Sequence, residues 1–190
     1  MLQIKKGYAS AGIPIWQSKN TQVAQGGFTL DDSAFATEGV YVPAGIPIGF
    51  DESTRKAKVA KLAVAQAGAT DTATDYKVLK GHYLAVGMSI KSGASEAKAI
   101  TAIDASNADY DLITVAETLG VEVATGDAIF VDDAGYTGLK GLLYEDVVID
   151  SNGVADVAVV LRGTVYARRI VPVPASIQAK LPLIIFSQSY

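Results

Sequence analysis

The sequence predicts a mainly β protein: a small barrel or sandwich block, then a second β-rich block with minor α content, preceded by an extended amino-terminal arm. Three observations carry this. Val157, Val159 and Leu161 alternate with Ala158, Val160 and Arg162, the two-residue period of a strand with a buried face. Short β-type runs punctuated by glycine recur between Gly39 and Val131, the spacing of small barrels and sandwiches. No helical period lasts long enough to build a helical layer.

Residues 1–27 carry Gly, Ser, Gln and isolated apolar groups without a sustained period and read as the arm. A frayed terminus is the ordinary fate of such a segment. Tyr8, Ile13, Ile15 and Trp16, the only tryptophan, argue instead for an arm docked on another surface, because on a free tail they would stay in water.

Residues 28–135 form the first β block, with strand runs in "GVYVPAGIPIGFD", "YKVLKGHYLAVGMSI", "KAITAID", "YDLITV" and "VEVATGDAIFVDD". In "STRKAKVAKLAVAQAG", Val59, Leu62 and Ala63 fit helical spacing, whereas Ala57, Val59, Lys61 and Ala63 fit alternation; the strand reading is preferred. "AETLG" reads as one helical turn closed by Gly120. "DDAGYTG" separates this block from residues 136–190. There "DSNG" supplies a hairpin turn, and "PASIQAKLP" a short helix that begins after Pro174 and stops before Pro182. The terminal "LPLIIFSQSY" either closes the chain's own sheet or is buried by a partner.

The chain has 190 residues, no cysteine and a net charge of -4, with a pI near 4.9. That length can bury a stable core without staples. Disulfides, thiolate nucleophiles and cysteine-based zinc sites are excluded, and the acidic balance argues against nucleic acid as a partner. "MLQIKKGYASAGIPIW" lacks the continuous apolar core of a signal peptide, and "LPLIIF" is too short to cross a bilayer. The expectation is a soluble, unprocessed chain without a membrane partner.

Reactive groups are sparse. His82 is the single histidine, so a Ser-His-Asp arrangement would rest on it alone, and no G-x-S-x-G elbow is present; beside a glycine turn it reads as a polar surface or turn residue. Asp104, Asn107, Asp109 and Asp111 offer hard oxygen ligands. As an EF-hand loop starting at Asn107, however, they put Leu112 where glycine is needed and Thr118 where glutamate is needed, and a plain Asx-rich turn is the better reading. Asp132-Asp133 and Glu145-Asp146 are sequence neighbours, which on a strand face opposite ways. Gly135, Gly138 and Gly141 precede no long helix that could hold phosphate. Arg162, Arg168 and Arg169 form the one basic cluster, a solvated face by default and suited to a protein interface beside "IVPVP". No catalytic residue, cofactor site or metal site is expected.

The stretch "GLLYEDVVIDSNGVADVAVVLRGTVYARRI" resembles the carboxyl-terminal signature of bacteriophage head decoration proteins of the lambda D type, in which a G-(V/L)-L-x-x-D-V segment leads through a turn to a strand ending in G-x-V. The matching positions are Gly141, Leu142, Leu143, Asp146 and Val147, then Gly163 and Val165. "YVPAGIPIGFDESTRKAKVAKLA", "YKVLKGHYLAVGMSI" and "AITAIDASNADYDLITVAETLG" are similar to auxiliary capsid and head fibre proteins of phages and prophages of Bacteroides-type hosts, including crAss-like phages; with the signature, the matching phrases span roughly Tyr41 to Ile170.

The resemblance implies a structural virion protein on the outer capsid surface, made in the host cytoplasm and bound to the major capsid protein and to neighbouring copies of itself, a trimer included. A head fibre or fibre base, itself in contact with head fibre proteins, is the alternative within that class. On this reading Tyr8, Ile13, Pro14, Ile15 and Trp16 anchor the arm to a partner, joined by Arg168 and Arg169. A carbohydrate-binding β module is the alternative from another class. It would draw on Tyr41, Tyr76, Tyr83, Tyr110, Tyr136 and Tyr144, if they shared an exposed face.

Overall fold

The structure is a computed structural model that describes residues 13–17, 21–31, 40–131, 138–149 and 155–189. The chain is mainly β, as predicted. One sheet runs in the order β1 (Gln22–Val23), β15 (Val159–Tyr166), β12 (Gly141–Leu143), β4 (Pro47–Asp51), β5 (Lys56–Val59), β2 (Phe28–Leu30) and β14 (Asp156–Val157), with β16 (Ile184–Ser187) parallel to β15. Only Ala158 separates β14, at the far end of that order, from β15. The second sheet runs β6 (Leu62–Val64), β11 (Ala128–Phe130), β8 (Ser89–Ser92), β9 (Lys98–Asp104), β10 (Tyr110–Val115) and β7 (Asp75–Leu79). A small ladder joins β3 (Tyr41–Val42) to β13 (Val147–Val148).

Two apolar cores result, and their shared wall follows from the two-residue period. In the β6·β11 ladder Leu62 lies opposite Phe130 and Ala63 opposite Ile129. Leu62 and Phe130 point into the first core, Ala63 and Ile129 into the second, because successive residues of a strand face opposite sides. The first core takes residues from Phe28 to Leu62 and again from Phe130 to Ile184, while the second is built within Ala63–Ile129. The cores therefore divide near residues 62 and 130, within the stretch read as one block over 28–135. Glycine-punctuated strand runs look alike on both sides of that division.

Several local expectations meet the structure directly. β10 alternates half-buried and buried residues along its length. "STRKAKVAKLAV" forms β5 and β6, interrupted at Ala60 and Lys61, where the chain passes from one core to the other. The short helix α1 spans Ala175–Gln178 after Pro174 and buries Ile177. β16 closes the chain's own sheet, the first of the two fates weighed for the terminal run.

Other expectations are corrected. "AETLG" is not a helical turn: it bends so that Leu119 enters the second core, its N–H donating to the Tyr76 hydroxyl, while the Gly120 N–H donates to Thr118 Oγ1. Residues 157–162 keep a buried face through Val157 and Val159, and Val160 on the opposite face is fully buried too. "DSNG", Asp132-Asp133, Gly135, Tyr136 and Tyr8 lie outside the described residues. No helix among the described residues is long and apolar enough to cross a membrane.

Candidate interaction surface

The residues that carry the sequence signature hold specific structural posts. A Cβ at Gly141 would collide with the Val160 carbonyl and the Val159 side chain, so only glycine lets β12 lie this close to β15. Leu142 and Leu143 are fully buried. Asp146 Oδ1 accepts from the Ala44 N–H at 2.7 Å, and Val147 pairs with Val42 across β13·β3. Val165 is fully buried, and Gly163 lies beside Thr21 of the arm, whose Cγ2 would stand 3.0 Å from an added Cβ. The described parts of the segment thus pack into the first core, with Glu145-Asp146 in the loop after β12 and not on a strand.

Residues 15–17 and 22–23 of the arm run antiparallel along one side of β15. Trp16 faces Val165, with the Gln17 N–H donating to Thr164 O at 2.9 Å and the Tyr166 N–H to Ile15 O at 2.8 Å. These bonds bracket a non-hydrogen-bonded pair, the position where cross-strand side chains approach most closely. Further along, Gln22 pairs with Arg162 and Val23 with Val160. Trp16 Nε1 donates to the Tyr144 carbonyl at 2.8 Å, and the two rings stack with centroids 6.1 Å apart. Arg169 Nη1 donates to the Pro14 carbonyl at 2.7 Å, while its guanidinium sits 4.1 Å from the Tyr166 ring centroid, a cation–π contact.

Ile13, Pro14, Ile15, Trp16 and Arg169, read from the sequence as partner-seeking, are therefore gathered into one place by the chain itself. Ile15 and Trp16 pack against the first core. Ile13 is 72% exposed, and Arg168 is exposed in the turn beside Arg169. On the other side of β15, β16 places Ile185 opposite Thr164. Ile185 is 63% exposed and Leu183, just before the strand, 60%. Apolar side chains thus stand in solvent on both flanks of β15. Tyr144 as the seat of the arm was missed in the sequence. Its signal was a large aromatic next to Glu145-Asp146, at a position where a solvated loop has no need of one.

The remaining candidates take the following places. Asp104 Oδ1 accepts from the Ser106 N–H and Asn107 Oδ1 from the Asp109 N–H, the Asx turns foreseen; the Ser106 bonds hold the Asp104 carboxyl below its ordinary range. Asp111 turns inward to Lys80. His82 is not a surface residue: its side chain is only 6% exposed. The Leu84 N–H donates to Nδ1 at 3.1 Å, which in the neutral ring leaves the proton on Nε2. That Nε2 lies 3.3 Å from Asp111 Oδ2, within ion-pair range but out of line for a hydrogen bond. Burial holds the imidazole below its usual pKa, against the pull of Asp111. No cluster of His, Asp and Glu among the described residues could hold a metal ion. The chain matches no protein-family model, no curated protein and no solved structure.

Proposed function

We propose that the chain is a structural virion protein that binds the outer surface of a phage capsid and reinforces the major capsid protein lattice. The observation that carries this reading is the sheet around β15. The residues that match the decoration-protein signature, Gly141, Leu142, Leu143, Asp146, Val147, Gly163 and Val165, fold together with described residues of the arm and the closing strand, and Ile13, Leu183 and Ile185 stand in solvent on the flanks. Large apolar groups exposed around a rigid sheet favour a protein partner.

The role asks for area and geometry and for no bond chemistry. A modest contact repeated over a lattice, each copy touching more than one capsid subunit, gains through multivalency what a single contact lacks. The arm acts as reinforcement: by covering one side of β15 it stiffens the sheet that meets the shell. The test is co-sedimentation of the purified chain with shells assembled from the major capsid protein of the phage that, on this reading, encodes it. Saturable binding at a fixed ratio to capsid subunits is expected, and shells that sediment without the chain would overturn the proposal.

A further inference from the structure

Where the two cores meet, Tyr41, Pro43, Lys80, His82, Tyr83 and Leu84 line a hollow of about 690 Å³, within the range of small-molecule sites. Tyr83 packs on the first core and Leu84 belongs to the second, so the walls draw on both cores. Tyr41 presents the exposed wall, at 52%.

The hollow is polar in places, and charges of both signs stand at its edge. Lys80 Nζ donates to Asp111 Oδ1 at 2.5 Å and to the Ala105 carbonyl at 3.2 Å. Its charge is thereby balanced, and one of its three protons is left for another acceptor. The Tyr83 hydroxyl donates to the Tyr41 carbonyl and is pushed up to about 12 by burial. Tyr41 is raised as well, by burial and by its bond to Asp146, so both phenols stay neutral. An anionic ligand would meet the carboxylates of Asp146 beside Tyr41 and Asp111 beside Lys80, and a cationic one would meet Lys80 itself, so a neutral ligand pays the least desolvation.

We propose that this hollow binds a neutral carbohydrate, one pyranose ring stacking its C–H face on the Tyr41 ring while a ring hydroxyl accepts from Lys80. An exposed aromatic face beside a single strong donor suits a ligand that is apolar on one side and hydroxylated on its edge. The site is separate from the β15 flanks and stands or falls independently of capsid binding.

The test is saturation-transfer NMR on the full chain with a panel of free neutral hexoses and N-acetylhexosamines, followed by amide-shift mapping of any sugar that responds. Transfer to one ring face of at least one sugar is expected, with shifts at residues 80–85. Affinity should fall about tenfold in Tyr41→Ala and persist in Tyr41→Phe, which keeps the stacking face; Tyr110→Ala, in the second sheet, should change nothing. No transfer from any sugar, transfer indifferent to Tyr41→Ala, or shifts confined to other residues would overturn the proposal.

Discussion

Trp16 donates its indole N–H to the carbonyl of Tyr144, 128 positions away in the chain, and stacks on the Tyr144 ring. One side chain thus joins the arm to the loop after β12, and through Val165 to the long strand of the first core.

Because Trp16 is the only tryptophan, fluorescence reports on this clasp alone. Tyr144→Ala should shift the emission to the red and speed amide exchange at Gln17 and Tyr166. Trp16→Ala should cost about 2–3 kcal/mol in urea unfolding, less than a fully buried tryptophan because the ring is partly exposed. Unchanged emission in Tyr144→Ala would show that the arm is held by other contacts.

Gly141→Ala should destabilise by about 3 kcal/mol or more, since the atom in the way is backbone and β15 is fully buried there. Gly163→Ala meets only the Thr21 methyl and should cost about 1 kcal/mol or less. Equal costs would contradict the close-approach account of the signature glycines.

The behaviour of His82 shows where sequence reading reached and where it stopped. Local pattern was legible: the alternation of β10, the short helix bounded by Pro174 and Pro182, and the strand character of Lys56–Val64 all follow from side-chain period and backbone chemistry. What depends on distant partners was not. A histidine beside Gly81 looks like a turn residue until Asp111, on another strand, covers it. The arm's apolar residues signalled docking, but the identity of the dock, β15 and Tyr144, rests on a contact no local pattern encodes. The division of 28–135 between two cores was hidden for the same reason, since Leu62 and Ala63 are neighbours in sequence that face different interiors.

That burial gives stability a pH dependence of known sign. The unfolded chain binds a proton on His82 near its ordinary pKa of 6.5, while the folded ring, held lower by burial, resists it. The contribution is complete above pH 6.5 and is lost progressively as pH falls toward the folded value. Asp51, Asp104 and Glu117 are lowered by hydrogen bonds and act at more acidic pH, so the two effects separate. Urea midpoints should decline on acidification just below pH 6.5, and His82→Gln should flatten that decline. A wild-type chain equally stable across this window would contradict the buried neutral imidazole.

Ile13→Asp, Leu183→Asp and Ile185→Asp change side chains already in solvent, so each should alter stability by no more than about 0.5 kcal/mol. On capsid shells the same variants should bind more weakly, the Ile13→Asp/Ile185→Asp pair by about tenfold or more. Full binding by that pair would move the contact away from the β15 flanks.

On the proposed reading the chain is a phage gene product, and the most direct measurement is electron microscopy, with mass spectrometry, of the particles that such a phage makes. The account predicts the chain in regular copies on the outside of the shell, its β15 flank against the capsid lattice. Purified particles that lack the polypeptide would contradict it.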